Sequence, residues 1–157
     1  MKIAVVILNW NGIDYLRQFL PAVVERSKLP DLEIIVADNA STDGSVEMMR
    51  VEFPNIRMIL LDKNYGFAGG YNKALQQVDA EYFVLLNSDV EVAADWLKPM
   101  LQYMEAHPET AACQPKILSW YRKSYFEHAG ASGGFIDFLG YPFCRGRVLA
   151  ECEIDAG

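Results

Sequence analysis

The chain has 157 residues, 52% hydrophobic and 22% charged, which suits one domain with its own core and excludes a disordered chain. Its formal net charge is -7 and its pI about 4.8, which argues against a nucleic-acid partner, because such partners need a basic face. An anionic small molecule stays allowed, since a bound divalent cation inverts the local field.

Residues 3–8 are uniformly apolar and read as a strand buried on both faces. The run is far short of the roughly 20 residues that span a bilayer. Only Lys2 precedes it as a charge and no small-residue cleavage site follows, so it does not read as a signal peptide. Tyr15, Leu16, Phe19, Leu20, Val23 and Val24 then recur at helical spacing. Residues 32–37 form a second strand pattern, and Val46, Met49 and Phe53 mark a helix ended by Pro54. A third strand at 56–61 is followed by Ala68, Tyr71, Leu75 and Val78 on a helix. A fourth strand at 82–86 is followed by Leu97, Met100, Leu101 and Met104 on another. This alternation predicts an α/β fold with a mostly parallel sheet covered on both sides. Residues 111–118 have the composition of a further strand. Residues 119–146 are rich in Gly and aromatics without a period and read as a long loop or an irregular hairpin, and residues 151–157 close no element. The three cysteines, Cys113, Cys144 and Cys152, are odd in number and lack Cys-x-x-Cys spacing, so neither a metal cage nor a disulfide framework is expected and a reducing cytoplasm is the default.

Ligands of open α/β sheets bind beyond the carboxyl ends of the strands. The first strand ends in Asn9, Trp10, Asn11 and Gly12, and the second in Asp38, Asn39, Ala40, Ser41, Thr42, Asp43 and Gly44. The third runs into Asp62, Asn64 and the glycine-rich stretch Gly66 to Gly70, and the fourth into Asn87, Ser88 and Asp89. Each strand delivers polar or acidic groups to one edge. A dinucleotide fingerprint needs three glycines after the first strand, where only Gly12 stands, and a Walker loop needs Gly-Lys-Ser/Thr, which is absent. A nucleotide site without such a loop needs another means of neutralising a diphosphate. A hard divalent cation on one carboxylate supplies it, with phosphates and waters completing the shell. Asp89 is the candidate ligand, against the alternative of a simple turn former. Asp38 either accepts a pyrimidine N–H or caps its own turn. Asp43 reads as a helix cap rather than a ligand. Gly66 to Gly70 either turn tightly or let backbone approach an anion at a helix N-terminus. Asn72 faces ligand or solvent. His107 reads as a surface residue near a helix end, and no catalytic role is read for His128.

These segments together resemble family-2 glycosyltransferases: residues 7–12, 36–45, 64–72 and 85–90, in order and correctly spaced, over about residues 1–118. The nearest subset in pattern is the bacterial rhamnosyltransferase-like group that builds cell-surface polysaccharides. The resemblance implies a GT-A α/β/α sandwich in which residues 1–118 are a nucleotide-sugar-binding core and residues 119–157 an incomplete start of the acceptor side. It implies that Asp38 contacts uracil or thymine, that Asn9 and Asn11 line the same pocket, and that Asn72 lies near the ribose or diphosphate. Asn87, Ser88 and Asp89 would stand for the family's Asp-x-Asp motif, with Asp89 holding Mg²⁺ or Mn²⁺ and Asn in place of the first Asp. The implied reaction moves a sugar from a UDP- or dTDP-sugar to a glycan or lipid-linked acceptor, with inversion. The family's catalytic base is expected beyond Gly157, and Glu151, Glu153 and Asp155 are not assigned to it. This stretch is therefore expected to bind donor and to transfer sugar poorly or not at all. The alternative is a non-catalytic nucleotide-sugar-binding module; a receiver-like signalling domain ranks lower, because its Asp and Lys strand-end set is missing. A cytoplasmic protein, peripheral at the inner face of the membrane in its full-length form, is expected. Pairing of two chains through an uncovered sheet edge or apolar face stays open.

Overall fold

A computed structural model describes residues 1–127, 134–136, 138–140, 142–144, 147–148, 151–152 and 154. The chain divides into two compact units, Met1–Trp96 and Leu97–Gly157. In the first, β1 (Ile3–Asn9), α1 (Ile13–Arg26), β2 (Leu32–Asp38), α2 (Ser45–Glu52), β3 (Arg57–Leu60), α3 (Gly66–Leu75) and β4 (Tyr82–Asn87) alternate without a break. The sheet order is β3-β2-β1-β4, and every pairing is parallel.

That order fixes where the helices lie. The crossovers β1→β2→β3 step one way across the sheet, and β3→β4 steps back past both. Right-handed crossovers therefore place α1 and α2 on one face and α3 on the other. The side chains agree. Ala4 and Val6 of β1, Ile35 and Ala37 of β2 and Ile59 of β3 form one buried cluster with Tyr71 and Ala74 of α3 and Val78 just beyond it. Ile3, Val5 and Ile7 alternate to the opposite face, the side of the buried Leu16, Phe19, Leu20 and Val23 of α1 and Met48 and Met49 of α2. Each such side chain taken from water contributes about 1.5–3 kcal/mol. With both faces covered, β1 has no polar position before its end, which is why its sequence reads as an unbroken apolar run. The reversal of direction lies between β1 and β4, the topological switch point of the sheet.

On the α3 face, Phe83 and Leu85 of β4 are in register with Ala4 and Val6 but are 42% and 53% exposed. The backbone contacts of α3 concentrate on β1 and β2, away from that half of the face.

In the second unit, α4 (Leu97–Ala106) precedes an antiparallel pair of β5 (Gly134–Ile136) with β6 (Pro142–Cys144). A second pair joins β7 (Arg147–Val148) and β8 (Glu151–Cys152). Residues 119–146, read as a long loop or an irregular hairpin, contain the antiparallel pair of β5 and β6. Residues 111–118 do not form the expected strand: they are exposed, and only Leu118 bridges, to Phe126. Their apolar composition misleads because a strand also needs a neighbour for its ladder and a face to bury. Residues 151–152 do close a short strand, contrary to expectation. His128, Glu153 and Asp155 lie outside the described residues. Among the described residues, no helix is long and apolar enough to cross a membrane.

Candidate functional site

The carboxyl ends of the strands of the first unit lie along one edge of the sheet. Asn9 and Asp38 are the last residues of β1 and β2 and are partners in register. Asn9 Nδ2 donates to Asp38 Oδ2 at 3.0 Å and lies 3.1 Å from Ser41 Oγ, while Asp38 Oδ1 accepts the Ser41 N–H at 2.8 Å. Both residues are buried, Asp38 with 3% of its surface exposed. Among the described residues this carboxylate has no cationic partner; its hydrogen-bond donors are the Asn9 amide and the Ser41 backbone N–H. Buried carboxylates are costly unless paired and hydrogen-bonded. Each Asp38 oxygen retains a lone-pair direction beyond the one donor it already accepts.

Asp38 also sets which way Asn9 points. A carboxylate only accepts, so the Asn9 amide turns its NH₂ toward it and its Oδ1 away. That Oδ1 is buried without a hydrogen-bond partner. A Cβ on Gly12 would stand 2.6 Å from Asn9 Oδ1 and 3.3 Å from Ser88 Oγ. Glycine is thus what allows the chain leaving β1 to pass between its own strand end and that of β4.

Asn11 adopts φ 52°, a left-handed conformation that asparagine tolerates. Its N–H donates to Ser41 Oγ at 2.9 Å, and its Oδ1 accepts the Thr42 N–H at 2.7 Å. Asp43 does cap, and it serves two helices. Its Oδ2 accepts the Ile13 N–H that opens α1 at 2.9 Å, and its Oδ1 accepts the Ser45 N–H that opens α2 at 3.0 Å and the Ser45 hydroxyl. Burial pushes its carboxyl up, but the bonds from Ser45 and Ile13 outweigh burial and hold it below the usual carboxylate value.

On the other face, Asn39 is buried beside Asp38 and binds the loop before α3. Its Nδ2 donates to Asn64 Oδ1 at 2.9 Å and to the Gly66 carbonyl at 3.1 Å, and its Oδ1 accepts the Tyr65 N–H at 2.9 Å. The Tyr65 hydroxyl donates to Asp62 at 2.8 Å, which lowers the Asp62 carboxyl and raises the phenol. Lys63 and Lys73 flank the Tyr65 ring at 5.1 and 5.6 Å, so cations gather where α3 begins. Tyr71 donates from its hydroxyl to the Leu86 carbonyl at 2.9 Å, tying α3 to β4, and its burial pushes the phenol up to about 12.

Asn72, Asn87 and Asp89 are exposed and Ser88 is half-buried. The run after Asp89 is anchored to the end of α1. Arg26 donates to the Val92 carbonyl at 2.6 Å and pairs with Glu91 at 3.4 Å, and the Trp96 indole donates to Ser27 Oγ at 3.1 Å. Among the described residues no group of three or more His, Cys, Asp or Glu side chains gathers as a metal cage. The donor set at the end of β4 is one carboxylate with an amide and a hydroxyl. It fits a hard cation whose remaining ligands are phosphate oxygens and waters, and not a closed protein cage.

Sequence reasoning paired Asn9, Asn11 and Asp38 in one place, and the fold brings all three around Ser41. It missed Ser41 as the shared hydroxyl and gave no role to Asn39 or Asn64. The period-2 alternation of strands was the available signal: Asp38 and Asn39, adjacent and both polar, must serve opposite faces. An open groove of about 590 Å³, lined by Ser27, Lys28, Glu33, Asn55 and Arg57 among others, lies at the opposite, amino edge of the sheet.

Residues 4–131 match the model of the family described as Glycosyl transferase family 2. A putative teichuronic acid biosynthesis glycosyltransferase of Bacillus subtilis, TuaG, is 30% identical over 105 residues, which cover 65% of this chain and 41% of that protein. The chain thus spans about two-fifths of that relative. Among solved structures, Staphylococcus aureus TarS 1-349 in complex with UDP-GlcNAc superposes with a TM-score of 0.58 at 23% identity, covering 76% of this chain and 39% of that one. The Pyrobaculum calidifontis mannosyltransferase in complex with GDP-Man and Mn²⁺ also gives 0.58 at 23% identity, covering 74% and 33%. These structures share the fold.

Proposed function

The chain belongs to glycosyl transferase family 2, and on that premise we propose that the carboxyl edge of its sheet binds a UDP- or dTDP-sugar for transfer to a cell-surface polysaccharide or lipid-linked acceptor. The observation that carries the proposal is the buried Asp38 carboxylate, held at the end of β2 by Asn9 and Ser41 and matched by no cation among the described residues. Uracil and thymine both present an imide N–H, the donor that such a carboxylate takes. In this reading Asn9, enclosed beneath Gly12, acts on the base by orienting Asp38, Asn11 lines the same pocket, and Asn72, Asn87 and Ser88 serve the ribose and diphosphate. Asp89 and its neighbours would hold Mg²⁺ or Mn²⁺, which when bound supplies positive charge to the departing nucleoside diphosphate. The proposed displacement is in line and inverting at the anomeric carbon, with a carboxylate base activating the acceptor hydroxyl; anomeric retention in the product would exclude it.

The relatives support the substrate class: TarS is solved with UDP-GlcNAc, and TuaG is named for teichuronic acid biosynthesis. The test is calorimetric titration of UDP and dTDP, with and without Mn²⁺, on the native protein and on Asp89→Ala. Binding that needs Mn²⁺ and is lost in Asp89→Ala supports the donor site and names the base. Failure of both nucleotides to bind the native protein sinks the reading. Metal-dependent hydrolysis of the sugar nucleotide separates a catalytic core from a binding module, since only the former releases UDP slowly.

A further inference from the structure

Two adjacent residues at the end of β2 lead into two separate hydrogen-bond sets. Asp38 joins Asn9 and Ser41 on the α1 side. Asn39 turns to the α3 side, where it takes up three polar groups of one loop: Asn64 Oδ1, the Tyr65 N–H and the Gly66 carbonyl. Asn64 Oδ1 in turn accepts the Gly66 N–H at 2.7 Å, so the first residue of α3 is held from both its amide and its carbonyl. Asn39 itself is anchored by its backbone N–H, which donates to the Asn9 carbonyl at 2.8 Å. The helix then lies directly on this side chain. A Cβ on Gly70 would stand 3.0 Å from Asn39 Nδ2 and 2.9 Å from Leu8 Cδ1, closer than a side chain tolerates.

The consequence is a rigid linkage from the end of β1, through the backbone and amide of Asn39, to the start of α3. Asn72 rides on that helix, and the amines of Lys63 and Lys73 flank the Tyr65 ring at its entry. Buried polar groups with every bond made hold one geometry, because each alternative leaves a partner unmet. Asn39 is buried, and both its amide N–H donors and its Oδ1 are already engaged by Asn64, Gly66 and Tyr65, so its side chain is committed to the loop.

We propose that Asn39, acting through Asn64, is a positioning residue for donor binding: it sets α3 and its entry loop against the base pocket without touching the nucleotide. This rests on the donor-site reading above. Loss of the linkage leaves Asp38 and Asn9 in place but frees the loop at 64–66, so the folded protein binds the nucleotide more weakly.

The experiment is titration of UDP and dTDP with Mn²⁺ on the native protein, Asn39→Ala, Asn64→Ala, Asn64→Asp and the Asn39→Ala/Asn64→Ala double variant. Unfolding midpoints are measured in parallel, so that affinity is compared among folded proteins only. Asn64 is exposed, so its variants keep the test open even where Asn39→Ala fails to fold. Asn39→Ala and Asn64→Ala are each expected to weaken binding roughly tenfold, the loss of one or two hydrogen bonds. The double variant is expected to be no weaker than Asn39→Ala alone, because both changes cut one linkage. Asn64→Asp keeps the acceptor and is expected to restore native affinity. Native affinity in folded Asn64→Ala overturns the proposal and leaves the donor-site reading intact. Losses that add in the double variant, or weakness in Asn64→Asp equal to that of Asn64→Ala, also overturn it. A native protein that binds neither nucleotide overturns both.

Discussion

Asn9 and Asp38 face each other at the ends of neighbouring parallel strands, both buried, with the Asn9 amide donating to the Asp38 carboxylate across 3.0 Å. The pair joins the fold to the site. The apolar faces of β1 and β2 fix the register, and the register delivers the carboxylate to its partner.

Replacing Asn9 by Ala takes a donor from a buried carboxylate. The expected loss is about 1–3 kcal/mol, the penalty for an unmet buried group. Urea unfolding at neutral pH measures it. A loss near zero would mean that water replaces the amide and that the pair orients nothing.

Gly12→Ala forces a Cβ to 2.6 Å from Asn9 Oδ1, a side chain already pinned by Asp38. Relief requires moving the β1 end away from Ser88. The expected destabilisation is about 1–3 kcal/mol, in the range of overpacked sites, together with weaker UDP or dTDP binding. Unfolding midpoints and calorimetry on the same variant read the two effects.

Asp43 gives the fold an acid limb. Its carboxyl sits below its ordinary value of 3.8 in the folded protein, because hydrogen bonds from Ser45 and Ile13 outweigh the opposing effect of burial. Between those two values the unfolded chain binds the proton first, so stability is complete above 3.8 and falls as pH drops through the folded value. Asp43→Ala is expected to flatten that limb and to cost about 1–2 kcal/mol at neutral pH, since one carboxylate caps two helices. Unfolding followed as a function of pH on both proteins checks it.

Tyr71 gives an alkaline limb of opposite sign. Burial raises its phenol from 10.0 to about 12. The unfolded chain loses the proton first, so the contribution is complete below 10.0 and is lost as pH rises to about 12. Tyr71→Phe removes this limb together with the hydroxyl's bond to the Leu86 carbonyl, at a cost of about 0.5–1.5 kcal/mol. Absorbance at the phenolate band is expected to show one tyrosine titrating only near the top of that window.

Periodicity and punctuation determined much of this protein. The strands and helices of the first 96 residues fall where apolar spacing places them, within a residue or two except that α3 ends at Leu75. The polar runs after each strand mark the edge that carries the site, and four ordered motifs carry the family. These features are local, and a local pattern survives in the chain order. Residues 111–118 show the limit: a strand-like composition without a neighbour or a buried face stayed exposed. What only the tertiary structure decided is pairwise and long-range. The order β3-β2-β1-β4 puts the end of β1 against the end of β4, 78 residues apart at Asn9 and Asn87. Register turns Asp38 toward Asn9 and Asn39 toward Asn64. Which lone pair meets which N–H depends on strand neighbours and faces, and those are settled by burying the whole sheet at once rather than by any one segment.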